Sequence, residues 1–116
     1  MTSKAGKRYT PERGDIVWCD FDPTRGHEQA HHRPALVLSP RRFNQVTGLT
    51  WLIPITNTVR GHGLEVAVHG GTVKGVALVQ QLRTVDHAAR QLAFVERATP
   101  KTIAEALSKA RAVLTA

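Results

Sequence analysis

Two short apolar runs carry, at facing ends, a pair of residues suited to phosphate chemistry: Arg33 opens the first and Thr56 closes the second. A guanidinium grips phosphate in two places and stays charged at any working pH. A threonine hydroxyl donates to a non-bridging oxygen. The polar segment ahead of Arg33 adds His27, Glu28, His31 and His32, residue types that can move protons. Each also has a plainer explanation: a strand-start arginine in a salt bridge, an ordinary strand-end threonine, a solvated loop glutamate. His27 and His31 have the i, i+4 spacing that could hold a metal on a helix. The segment reads as a loop, however, and no third ligand follows from spacing, so no metal site is assigned.

The remaining reactive types are more scattered. His62, His69 and His87 read as structural or solvated. Cys19, inside an apolar segment with no activating base at a recognisable spacing, reads as a small core residue. Trp18 and Trp51 fall in predicted strands, where core packing is the expectation, whereas Phe21 stands just before a turn and is the better candidate for exposure.

These residues need strands to position them. Ile16, Trp18 and Asp20 alternate with Val17, Cys19 and Phe21, which predicts a strand with two different faces, broken by Asp22-Pro23-Thr24-Arg25-Gly26. Residues 34–39 and 50–56 predict two more strands, the first short and apolar enough to be buried on both faces. Pro54 cannot donate to a ladder, so its strand is expected at an edge or with a bulge. If these two strands pair antiparallel with their ends matched, Arg33 faces Thr56, and both emerge at one rim. Leu64, Val66 and Val68 alternate with Glu65, Ala67 and His69, predicting a half-buried strand. Val76–Val85 and Gln91–Val95 predict two further β segments. Thr99 as N-cap and Pro100 at the first helical position then open a helix, with Ile103, Leu107, Ala110 and Leu114 on one face. Short strands punctuated by Gly and Pro and ending in one helix imply a small closed or half-closed barrel.

The whole-chain numbers agree with one small domain. The chain has 116 residues, 41% of them hydrophobic, enough for a core and too many for a disordered tail. Residues 1–13 are read as a basic flexible arm and 14–116 as the domain. No apolar run approaches the roughly 20 residues of a membrane span, and no signal-peptide core opens the chain, so a cytoplasmic protein is expected. One cysteine excludes a disulfide framework. A net charge of +7 points to an anionic partner.

Three blocks make the sequence resemble a known family. They are Gly14-Asp15-Ile16-Val17-Trp18 with Asp20-Phe21-Asp22-Pro23-Thr24; Gly26-His27-Glu28-Gln29 leading to Arg33-Pro34-Ala35-Leu36-Val37-Leu38-Ser39-Pro40; and Pro54-Ile55-Thr56 with residues 75–84. Together they resemble the MazF/PemK family of bacterial toxins over roughly residues 9–116. The resemblance implies an SH3-like β-barrel with a C-terminal helix, working as a homodimer without metal or other cofactor. It implies an endoribonuclease, an mRNA interferase, that cuts single-stranded RNA at short sequences and is silenced by an acidic MazE-like antitoxin. Its principal catalytic pair falls on Arg33 and Thr56, and Glu28 matches a position tied to activity. RNA contacts are expected from Phe21, His27, His31, His32, Gln81 and Arg83. Two departures stand out: Gln80 occupies a position where many members carry an acid, and His31 replaces what is often a small residue.

The chemistry expected on this basis is attack of a ribose 2′-OH on its own 3′-phosphate, leaving a 2′,3′-cyclic phosphate and a 5′-OH. Arg33 would stabilise the charge that develops on the phosphorane oxygens, assisted by Thr56. Arginine is a poor proton carrier near neutrality, so Glu28, His31 or His32 is the expected base. Two other classes remain open. A CcdB-like poison of DNA gyrase would need neither Arg33 nor Thr56, and relatives of that kind depend on a helix end that here reads Ala112-Val113-Leu114-Thr115-Ala116 without an aromatic. A non-catalytic RNA-binding module would fit the charge but leave the Glu28-Gln29 and Arg33-Pro34 blocks unexplained.

Overall fold

A computed structural model describes residues 9–21 and 32–116. Seven strands and two helices follow in the order β1 (Asp15–Asp20), β2 (His32–Val37), α1 (Arg41–Thr47), β3 (Leu49–Thr56), β4 (Glu65–Val68), β5 (Gly75–Leu78), β6 (Arg83–Asp86), β7 (Ala93–Arg97) and α2 (Pro100–Leu114). The strands form one antiparallel sheet in the order β4-β5-β3-β2-β1-β7, with β6 also paired to β3. The sheet curls into a half-barrel with α2 on one face.

Both faces of the central strands are covered, which is why residues 34–39 read as a continuous apolar run. Ile16, Leu36, Leu38, Ile53 and Ile55 point into one cluster, closed by Ala106, Leu107 and Ala110 of α2. Val17, Cys19, Ala35, Val37, Leu52 and Val85 point into a second, smaller cluster, with Tyr9 and Phe21 packed against it. Cys19 is fully buried as expected, and burial pushes its thiol up to about 11. Within the stretch expected as an arm, Tyr9–Arg13 belong to the folded body. Tyr9 donates to Asp15, Pro11 is fully buried, and the Pro11 carbonyl accepts from Asn44.

The expected register holds: β2 and β3 pair antiparallel through Ala35↔Pro54, Leu36↔Ile53 and Val37↔Leu52, so Arg33 lies at the position facing Thr56. Other expectations need correction. The strand carrying Pro54 is internal rather than at an edge. On its far side β3 pairs with β6 through Leu52 and with β5 from Ile55 onward, and Pro54 stands in the gap where the partner changes. The ladder therefore asks no donor of it there. Val76–Val85 is not one strand, because a 3-10 turn at Val79–Gln81 divides β5 from β6. The two tryptophans lie at the surface, 40% and 41% exposed. Trp18 faces only Pro34 and Ala93 across its neighbours and rests against His32, while Trp51 meets Phe43 edge-on.

α2 begins as expected, with Thr99 accepting from the Thr102 N–H and proline at its start. Its buried line runs through Thr102 and Ala106, flanked by Leu107 and Ala110, and leaves Leu114 in solvent. The short helix α1 has no counterpart in the sequence reading. It starts on Pro40 with no side-chain cap and ends on Gly48, whose φ of 75° suits a glycine stop.

Candidate active site

The pairing of β2 with β3 brings Arg33 and Thr56 to one end of the sheet, where both line a recess of about 280 Å³. The remaining walls are Thr58, Arg60, His62, Glu65, Leu78, Gln80 and Gln81. A smaller recess on the other side of the same pair adds Lys74 and Asn57. Arg33 and Thr56 thus line both recesses, with Arg60 in one and Lys74 in the other. The backbone N–H of Thr58 donates to Thr56 Oγ1 at 3.2 Å, leaving the hydroxyl proton to point at a ligand.

The far wall is organised by Glu65. Its two carboxylate oxygens accept the backbone N–H groups of Arg60 and Gly61, each at 2.9 Å. Those bonds, the one from Arg60 foremost, hold the carboxyl below its ordinary range although burial opposes them. The turn that carries Arg60 and His62 is therefore tied to β4 by a carboxylate that stays charged. Within that turn the Leu64 N–H donates to His62 Nδ1 (3.3 Å), and His62 Nε2 lies 3.7 Å from Glu65 and 3.1 Å from the Gln80 amide.

The loop carrying Lys74 is held similarly. Glu96 on β7 accepts from the Thr72 and Val73 N–H groups at 2.9 Å, and these bonds lower its pKa. Gly75, at φ 140°, lies against the Thr56 backbone, so that a Cβ there would stand 2.2 Å from the Thr56 carbonyl oxygen. Only a glycine lets β5 approach Thr56 this closely.

Of the other residues singled out from sequence, Gln81 joins the recess and Arg83 lies over the Phe21 ring at 5.0 Å. His32 is exposed beside Trp18. Glu28, His27 and His31 lie outside the described residues. Four polar members of the recess do not read as site residues in the sequence: Thr58, Arg60, Glu65, and His62, which reads as structural or solvated. The available signal is slight: the glycine-flanked His62 stands just ahead of Glu65, an acid that fits the strand's alternation and so does not stand out. Among the described residues no three His, Cys, Asp or Glu side chains converge as a metal site.

A curled β-sheet thus sets an arginine–threonine pair among further cations at one end, an arrangement with the charge and donors to hold an anion. The chain belongs to the family of PemK-like, MazF-like toxins of type II toxin–antitoxin systems, whose model matches residues 12–114. It is 47% identical over 83 residues to the endoribonuclease toxin MazF of Escherichia coli K12, covering 72% of this chain and 75% of that one. It is 46% identical over 109 residues to the endoribonuclease toxin ChpB of the same strain, covering 89% and 93%. The fold matches the crystal structure of MazE-MazF from Deinococcus radiodurans with a TM-score of 0.81 at 33% identity, over 93% of this chain and 98% of that one.

Proposed function

We propose that this protein is an endoribonuclease toxin of a type II toxin–antitoxin pair, acting in the bacterial cytoplasm on single-stranded RNA, chiefly mRNA, without a metal. The observation that carries the reading is the shared recess of Arg33 and Thr56, built by the β2–β3 register in a family member whose relatives are named endoribonucleases. Arg33 holds the scissile phosphate and stabilises its extra charge as the 2′-oxygen attacks, and Thr56 donates to a second oxygen. Arg60 and Lys74 add positive charge along the strand's path. The base that takes the 2′-OH proton is assigned to Glu28, His31 or His32. Phe21, under the Arg83 guanidinium, offers a face on which a base can stack, and His27, Gln81 and Arg83 complete the RNA contacts.

A second copy completes the groove. One half-barrel presents few nucleotides with a surface, whereas a symmetric pair makes a longer channel. An apolar cleft lined by Phe43, Trp51, Leu82 and Leu114 is available for such a contact. A disordered acidic antitoxin segment can lay carboxylates where phosphates would go, and a MazE-MazF structure among the neighbours supports a partner of that kind. The test is incubation of the pure protein with mixed-sequence RNA in EDTA, single-stranded and duplex side by side. Cleavage of the single strand alone is expected. A requirement for Mg²⁺ would overturn the metal-free mechanism, and RNA binding without cleavage would favour a binding module.

A further inference from the structure

Cleavage by 2′-OH attack needs a proton for the departing 5′-oxygen, and the Arg33–Thr56 pair supplies none at neutral pH. The arginine does not give up its proton, and threonine is far too weak an acid. Of the other groups lining the recess, Arg60 is excluded for the same reason as Arg33. Glu65 is excluded because both its oxygens are occupied by backbone N–H groups that keep it a carboxylate. Leu78, Gln80, Gln81 and Thr58 do not titrate there. His62 is left.

Its surroundings suit proton donation. The Leu64 N–H points at Nδ1, so the neutral ring carries its proton on Nε2, the nitrogen next to Gln80. Gln80 Nε2 lies 3.1 Å from that atom, and a half-turn of the amide offers Oε1 as the acceptor instead. The Glu65 carboxylate lies 3.7 Å from Nε2, on the side of the ring that also meets Gln80. The Leu64 contact given up on protonating Nδ1 is long, and the side chain is 42% exposed, so water can replace it. The ring thus stands in a wall of the recess with its outer nitrogen free to be handed from Gln80 to a substrate oxygen.

We infer that His62, in the wall shared with Arg33 and Thr56, is the general acid that protonates the 5′-oxygen leaving group; the inference rests on the endoribonuclease reading above. The 2′-oxygen bonds to phosphorus as the bond from phosphorus to the 5′-oxygen breaks. The 2′-OH proton passes to the general base assigned above, the doubly protonated ring gives its Nε2 proton to the 5′-oxygen, and base and ring then reset by exchanging protons with water. Atoms and charge balance with no further reactant.

A pair of matched RNA substrates tests this, one with the ordinary 5′-oxygen at the cleavage site and one with a bridging 5′-sulfur, whose thiolate leaves without needing a proton. His62→Gln keeps a hydrogen-bonding partner for Gln80 but cannot protonate. It is expected to cut the ordinary RNA about 10²-fold more slowly or worse, and to cut the sulfur-linked RNA at close to the unaltered protein's rate. His62→Ala should give the same pattern. Near-normal cutting of ordinary RNA by either variant would overturn the assignment, as would an equal slowing on both substrates, which marks a structural role. If the unaltered protein cut neither RNA, the endoribonuclease reading itself would fall, and this inference with it.

Discussion

At the scale of single residues, the proposed cleavage rests on two side chains whose positions follow from strand pairing. Arg33 and Thr56 lie at strand ends, outside both core clusters. Replacing either should therefore leave the fold unchanged while removing charge stabilisation. Arg33→Ala is expected to lose cleavage by about 10²-fold or more, the usual consequence of deleting a preorganised donor at developing negative charge. Thr56→Ala should also be crippled, with thermal unfolding of both variants close to that of the parent. Near-normal cutting by Arg33→Ala would refute its role. This pair was legible in the sequence because two short apolar runs admit one end-matched register, and that register is the one formed. His62 was not legible. It reaches the recess through a turn held by Glu65, and backbone N–H bonds to a carboxylate leave no periodic trace in a sequence.

At the scale of elements, the recess depends on loops tied down by buried or half-buried carboxylates and on a close strand approach. Gly75→Ala should be damaging twice over. The backbone there is at φ 140°, and the added carbon would collide with the Thr56 carbonyl. A loss of about 1–3 kcal/mol in stability is expected, together with reduced cutting because Thr56 itself must move. Urea unfolding and a cleavage rate measured on the same sample would check both. Acid should loosen the same region. Glu65 and Glu96 titrate lower in the folded chain than in the unfolded one, because backbone N–H groups hold their charged forms. Their contribution is complete above the ordinary glutamate value of about 4.3 and is lost as pH falls through it toward the lowered folded values. The urea midpoint should thus fall on acidification below about pH 5, and less steeply in Glu96→Gln. An identical acid response in that variant would contradict the tie between β7 and the Lys74 loop. The elements themselves were largely readable from alternation and capping, with α2 the clearest case through Thr99 and Pro100. The misreadings share a cause. Pro54, the tryptophans and the break at Val79–Gln81 are set by which strand lies alongside, and a curled sheet changes partners along a single strand.

At the scale of the whole molecule, the proposed function gives a net charge of +7 two uses, gripping RNA and being silenced by an acidic partner. If both occupy the recess, the cognate antitoxin should displace a short labelled RNA from Arg33→Ala, and both associations should weaken with added salt. RNA affinity should fall by about 0.7 log units per decade of salt for each phosphate neutralised. Formation of a ternary complex would exclude a shared groove. The central claim, that this fold sets Arg33 and Thr56 around a phosphodiester so that the RNA's own 2′-OH cuts it, leaves a chemical signature in the products. Mass spectrometry of the fragments made in EDTA reads it directly. A 2′,3′-cyclic phosphate on the upstream piece with a 5′-OH on the downstream piece is expected, whereas a 3′-OH paired with a 5′-phosphate would show that water is the nucleophile and contradict the mechanism.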